Sequence, residues 1–293
     1  MTPDPKYPEL RRRRFRPIPV RMLVPNVITL LAICAGLTAI RLSIEGRMEL
    51  AVAAIVFAAV LDGVDGRVAR MIKGQSKFGA ELDSLADFVN FGVAPGLMLY
   101  FWQLHELNNG GWIAAMVFAI AGGLRLARFN ASIDDPNKPA FAANYFTGVP
   151  APAGAILAML PFYLAFLGIS KPPAMLTAGY TLLIAFLMVS RLPVFSGKTV
   201  RMRVPPEMVL PVFVSVVFFV ALLIGYPWHI LSIGSVIYLA SLPWGWKTYR
   251  DHERNAAAAQ PPAAAETSAP SAPAATFSPA ADDAEDERPV RLN

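Results

Sequence analysis

A chain of 293 residues that is 55% hydrophobic and only 16% charged, with a mean hydropathy of +0.45, is too apolar for an ordinary soluble domain and belongs in a bilayer. Its net charge of +5 lies in short basic clusters between apolar runs, which points to anionic lipid headgroups and away from nucleic acid. The one cysteine, Cys34, sits inside the first apolar run, so an intrachain disulfide and a thiolate metal centre are both excluded.

The chain opens with a polar, proline-broken segment, residues 1–20, carrying Arg11 to Arg14 and Arg16. The apolar stretch behind it is too long for the core of a signal peptide, so cleavage is not expected. Taking about 20 apolar residues as one span, eight spans follow, near 22–42, 49–71, 81–104, 110–130, 149–169, 173–194, 207–226 and 228–246. Pro25 and Asn26 suit the start of the first helix, where proline forfeits no hydrogen bond. The expected fold is an all-α integral membrane protein with a catalytic domain over residues 21–248. After it, residues 249–293 form an Ala/Pro-rich tail that is expected to be disordered from about residue 256 onward.

Basic residues between the spans alternate in a way that sets orientation. Arg67, Arg70, Lys73 and Lys77, then Arg125, Arg128 and Lys138, then Arg191, Lys198, Arg201 and Arg203, then Lys247 and Arg250 all fall on the side of the N-terminal arginines. The positive-inside rule makes that side the cytoplasm and puts both termini there. The opposite loops, around Glu45–Glu49, His105–Gly111, Ser170–Pro173 and Tyr226–Trp228, are short, with Trp112 and Trp228 at that interface. The expected location is the inner, cytoplasmic membrane, crossed many times.

Ionisable residues inside spanning helices are costly and mark function. Asp62 and Asp65, three apart near the cytoplasmic end of the second span, share a helix face, as do Asp83 and Asp87, four apart at the start of the third. The linker between the spans, from Met71 to Ala80, contains Gly74 and Gly79, so the chain can reverse there and bring the two faces together. Four carboxylates packed closely repel one another or take up protons unless a cation lies among them. All-oxygen ligands select a hard divalent ion such as Mg²⁺, Mn²⁺ or Ca²⁺, and two such ions about 3.5–4 Å apart are a known device for in-line phosphoryl displacement. Gly66 and Ala69 beside the first pair leave room for a ligand, or equally for a neighbouring helix. Arg70 offers a planar fork of donors suited to a diphosphate. The alternatives are solvated helix-end acids, or an ion carrier or channel, although a conduction site would spread its acids through the depth of the membrane.

The residues Asp62-Gly-Val-Asp65-Gly66-Arg-Val-Ala69-Arg70, then Gly79, Asp83 and Asp87, match every position of D-x-x-D-G-x-x-A-R-x8-G-x-x-x-D-x-x-x-D. This resembles the signature of the CDP-alcohol phosphatidyltransferases. The resemblance implies a six-helix membrane core, here with two further helices, two divalent cations, Mg²⁺ or Mn²⁺, and displacement of CMP from a CDP-linked lipid by a hydroxyl. It implies that Asp62, Asp65 and Asp83 are metal ligands and that Asp87 is a second-metal ligand and general base. Gly66, Ala69 and Arg70 become nucleotide and diphosphate contacts, Gly79 shapes the turn, and Asn26 and Thr29 are candidate contacts to the CDP-lipid. Homodimers are common among such proteins, though no feature of this sequence carries one.

The core motif leaves the acceptor open. The flanking segments Ser76 to Asp87, Phe91-Gly92-Val93-Ala94-Pro95, Arg125 to Asn130 and Phe146 to Pro152 are similar to bacterial members of the family that use L-serine as acceptor and CDP-diacylglycerol as donor. Arg125, Arg128 and Asn130 are then candidates for binding serine, against the alternative that the arginines anchor the helix at lipid headgroups. Glycerol 3-phosphate or inositol is the alternative acceptor.

Overall fold

A computed structural model describes residues 20–72, 76–132, 145–195 and 206–259. The N-terminal arginine cluster, Lys73 and Gly74, Lys138, Lys198, Arg201, Arg203 and the tail from residue 260 lie outside the described residues. The chain divides into two units, Met1–His252 and Glu253–Asn293. In the second, only residues 253–259 are described, and they are helical.

The architecture is the helical one that the apolar runs predict. In chain order the helices are α1 (Val20–Ile44), α2 (Met48–Met71), α3 (Lys77–Asp87), α4 (Ala94–Trp102), α5 (Asn109–Ala131), α6 (Ala151–Ala158), α7 (Leu160–Phe166), α8 (Ala174–Val189), α9 (Pro206–Gly225) and α10 (Pro227–Ala259). Helices α3 and α4 together answer to the predicted third span and α6 and α7 to the fifth, so each of the eight apolar runs is helical. Four segments, Leu23–Ile44, Lys77–Trp102, Asn109–Ala131 and Met208–Gly225, are long and apolar enough to cross a bilayer on those grounds alone. The second span is long enough, but its carboxylates and arginines interrupt its apolar character.

Packing follows the rules of lipid rather than of water. Because acyl chains are as apolar as leucine, helices associate through close approach of small side chains. The core is accordingly rich in alanine, with Ala39, Ala51, Ala58, Ala114, Ala115, Ala155, Ala158 and Ala185 all buried around Phe91, Phe118 and Phe162. Leucine, valine and phenylalanine instead face outward, as on α9, where no residue from Met208 to Gly225 is buried. A soluble monomer would not carry so large an apolar exterior.

Four details depart from the sequence reading, and each has a local cause. Helix α1 begins at Val20, so Pro25 lies inside it and does not start it. Gly79 is not part of the linker between α2 and α3. It sits in the first turn of α3, where its N–H donates to the Oγ of Ser76, the N-cap, at 2.9 Å. The sixth span stops at Val189 and does not run to 194, because Ser190 turns extended (φ −58°, ψ 159°) ahead of Pro193. Residues Pro193–Phe195 form β2, paired antiparallel with β1 (Tyr145–Thr147), with Phe146 opposite Val194. The last helix continues to Ala259, beyond the span end drawn at 246, since an alanine-rich run propagates a helix after it leaves the apolar region.

The third span also hides a break. Between α3 and α4 the chain forms a π-helical turn, Phe88–Val93, in which the N–H of Ala94 bonds to the carbonyl of Val89. Pro95 explains it: a proline has no N–H for the carbonyl four residues back and its ring crowds that carbonyl, so the helix loosens just ahead of it. The turn begins immediately after Asp87 and therefore helps to set the direction of that side chain. It is held against α1 by Asn90, only 1% exposed, which fills the space left by Gly36. A Cβ at Gly36 would fall 2.1 Å from Asn90 Oδ1, so Gly36→Ala must push α1 away from the π turn. We expect that variant to lose about 1–3 kcal/mol of stability, seen as a lower unfolding temperature in detergent. An unchanged temperature would mean that the contact is not needed.

Candidate active site

One end of the bundle gathers the four aspartates of the motif. The C-terminal half of α2, helix α3, the C-terminal turns of α5, the N-terminal turns of α6 and the end of α8 meet there, with the first turns of α1. On α2 the three-residue spacing sets Asp62 and Asp65 on the face turned to α1 and α3, while Gly66 lies at the surface with nothing within 4 Å of where a side chain would start. On α3 the four-residue spacing brings Asp83 and Asp87 to the same place.

Carboxylate oxygens of Asp62, Asp65 and Asp83 lie within 4.8 Å of one another. The Asp87 carboxyl stands against that of Asp62 in hydrogen-bonding contact. Asp65 is 3% exposed, and Thr29 on α1 donates its hydroxyl to Asp65 Oδ2 at 2.6 Å while also contacting the carbonyl of Pro25 at 3.0 Å. The opposite oxygen, Asp65 Oδ1, and Asp87 Oδ1 are buried and have no hydrogen-bond partner among the described residues. Buried acceptors are normally satisfied, and a carboxylate left bare in a bilayer is costly. Orphaned oxygens on an all-oxygen cluster of this size fit a hard divalent cation held among Asp62, Asp65 and Asp83, with Asp87 at its edge.

The other candidates divide by what they touch. Arg70 is exposed and donates its Nε to the carbonyl of Gly66 at 3.0 Å, which ties it to its own helix and leaves its terminal nitrogens directed outward. Ala69, half-buried, lies on the same turn. Asn26 sits beside Gly79, whose missing Cβ would come within 2.9 Å of Asn26 Oδ1. Asn26 and Gly79 are thus part of the α1–α3 contact, and Thr29 holds a ligand rather than standing free to meet a nucleotide.

Arg125 is not a headgroup anchor. It is 6% exposed, donates Nε to the carbonyl of Val149 at 3.1 Å and lies over the ring of Phe129 at 5.2 Å. Gly148, with φ +77°, turns the chain so that this carbonyl is presented, and its own N–H bonds to Leu192. Arg128 reaches the carbonyl of Val189 at 2.5 Å, tying α5 to α8, and Asn130 donates to Ser84 Oγ at 2.9 Å, tying α5 to α3. All three predicted acceptor residues therefore stand at the aspartate end. Thr29's bond to Asp65 was not legible as such, since only the fold brings positions 29 and 65 together.

A helical membrane bundle with clustered carboxylates at one end is a candidate metal-dependent membrane enzyme, and comparison with known proteins places it more closely. Residues 22–192 match the CDP-alcohol phosphatidyltransferase family, and residues 207–243 match a second family, CDP-alcohol phosphatidyltransferase 2. The chain belongs to the CDP-alcohol phosphatidyltransferase family. The two matches divide it into the six spans of the core and the two further helices α9 and α10. It is 38% identical over 229 residues to a CDP-diacylglycerol–serine O-phosphatidyltransferase of Mycobacterium leprae, covering 76% of this chain and 74% of that one. Proteins of the same name from Mycobacterium tuberculosis (37% identity, 78% of this chain, 79% of the relative) and Helicobacter pylori strain J99 (35% identity, 76% and 90%) are similarly related.

Proposed function

We propose that this enzyme transfers the phosphatidyl group of CDP-diacylglycerol to the hydroxyl of L-serine, giving phosphatidylserine and CMP, at the cytoplasmic face of the inner membrane. The observation that carries the reading is the meeting of Asp62, Asp65, Asp83 and Asp87 at one end of the bundle, in a chain whose relatives bear the name of serine transferases. Arg67, Arg70, Arg125, Arg128, Arg191, Lys247 and Arg250 belong to that same end, which supports a cytoplasmic orientation.

Asp62, Asp65 and Asp83 would hold the divalent ions, Mg²⁺ or Mn²⁺, with Asp87 shared. When bound, such ions supply Lewis-acid neutralisation of the diphosphate. The residues of the chain do the rest. Thr29 fixes the Asp65 carboxylate by donating its hydroxyl to Oδ2, which leaves Oδ1 for an ion. The open surface at Gly66 and the half-buried Ala69 admit the nucleotide, and the outward nitrogens of Arg70 meet its phosphates. Arg125, Arg128 and Asn130 border the space for serine. The serine hydroxyl attacks the lipid-bearing phosphorus, its proton passes to Asp87 Oδ1, and the bond from phosphorus to the CMP oxygen breaks. Burial of Asp87 keeps bulk water from competing with serine for the donor.

The test is an acceptor screen on purified protein with labelled CDP-diacylglycerol. Serine is expected to release CMP and yield phosphatidylserine, and glycerol 3-phosphate and inositol are expected to release little. Release of CMP with either of those and none with serine would overturn the serine assignment while leaving the reaction class in place.

A further inference from the structure

Helix α10 carries hydroxyls that an apolar helix does not need. Ser232, Ser235 and Tyr238 follow one another at intervals of three, on the face whose neighbours Trp228, Leu231, Leu239 and Leu242 pack against the core. All three oxygens are buried and make no hydrogen bond among the described residues. Inside a bilayer an unmatched polar group has no water to turn to, so an oxygen kept there implies a partner that arrives. The serines lie deeper along the helix. Tyr238 lies nearest the aspartate end, within electrostatic reach of the Arg125 guanidinium, and Arg125 is in turn within reach of Asp87.

Arg125 uses one nitrogen, Nε, on the carbonyl of Val149. Its terminal nitrogens make no other hydrogen bond among the described residues. A fixed planar cation with unused N–H groups and a phenol O–H with no acceptor among the described residues thus stand within electrostatic reach of each other, and the cation within reach of Asp87. Two forked N–H donors and one O–H donor are the complement of a carboxylate.

We propose that the Tyr238 hydroxyl, together with Arg125, binds the carboxylate of the amino-acid acceptor, which makes Tyr238 a specificity-determining residue supplied by the last helix. The inference rests on the serine reading of the site. It gives α10 a task at the reacting end: the phenol O–H donates to one carboxylate oxygen, the guanidinium holds both, and the serine hydroxyl is left toward Asp87.

Tyr238→Phe removes an oxygen with no protein partner among the described residues, so the fold described has nothing to lose by it. We expect the unfolding temperature in detergent to be unchanged or raised. We expect the KM for serine to rise at least about tenfold, as for loss of a hydrogen bond to a charged group, with kcat and the KM for CDP-diacylglycerol little altered. Combined with Arg125→Lys, the second substitution should cost less than it does alone, because both residues act on one carboxylate. An unchanged serine KM, a parallel loss in the CDP-diacylglycerol KM, or full additivity in the double variant would overturn the proposal. If the wild-type protein releases no CMP with serine, the serine reading itself falls. If it does and Tyr238→Phe behaves like wild type, only the role of Tyr238 falls.

Discussion

Asp87→Asn is expected to lower CMP release by about 10²–10⁴-fold, the usual contribution of a positioned general base, while CDP-diacylglycerol binds within a few-fold of its wild-type affinity. The geometry makes this substitution unusually clean. Asp87 stands in hydrogen-bonding contact with Asp62, two groups that repel when both are ionised. An asparagine amide at the same position can donate to Asp62, so the local packing is retained and the unfolding temperature of the ion-free protein should hold or rise. Turnover alone would then report the loss of a proton acceptor at Oδ1. Donor binding measured on purified protein, beside single-turnover CMP release, separates the possibilities. Equal losses in donor binding and turnover would make Asp87 a structural metal ligand only, and the proton would need another acceptor.

The aspartate cluster was legible because helix periodicity is a strong constraint: carboxylates three and four apart must share a face, and a reversal between them must bring the faces together. The eight spans were legible for a similar reason, since the bilayer sets their length. Other features depend on tertiary contact and leave little trace in the sequence. The bond from Thr29 to Asp65 joins positions 36 residues apart, and a threonine near a helix start reads as a cap or a ligand contact until the fold is known. The π turn did leave a signal, Pro95 within an apolar run, but the run alone reads as one continuous helix. The pairing of β1 with β2 joins segments on either side of two spans, and three residues each are too few to show a strand pattern. Arg125 shows the sharpest limit. A cation at a span end reads equally as an anchor or a site residue, and only its burial against Val149 decides between them.

Removal of divalent cations by EDTA is expected to stop turnover, and added Mg²⁺ or Mn²⁺ to restore it. Activity alone cannot say where the ion sits, so the stronger measurement is stability. An ion that binds only the folded state stabilises it by mass action, by about 2.7 kcal/mol when the free ion is at 100 times its dissociation constant. The unfolding temperature of the wild-type protein in detergent should therefore climb with Mn²⁺. Asp65→Asn replaces a carboxylate that has an orphaned oxygen by a neutral amide, which no longer carries the charge a cation requires, and Asp62→Asn and Asp83→Asn remove charge from the same cluster. Each variant should lose most of the Mn²⁺-dependent rise. Thr29→Val should keep part of it, because the Asp65 charge stays while its orientation is released. A rise that survives in all three aspartate variants would put the ion elsewhere, and a wild-type rate untouched by EDTA would remove the metal from the mechanism. The direction of the Thr29 result matters most, since it separates charge from geometry: full loss there would mean that the pointing of Asp65 Oδ1, rather than the number of carboxylates, decides whether the cluster holds an ion.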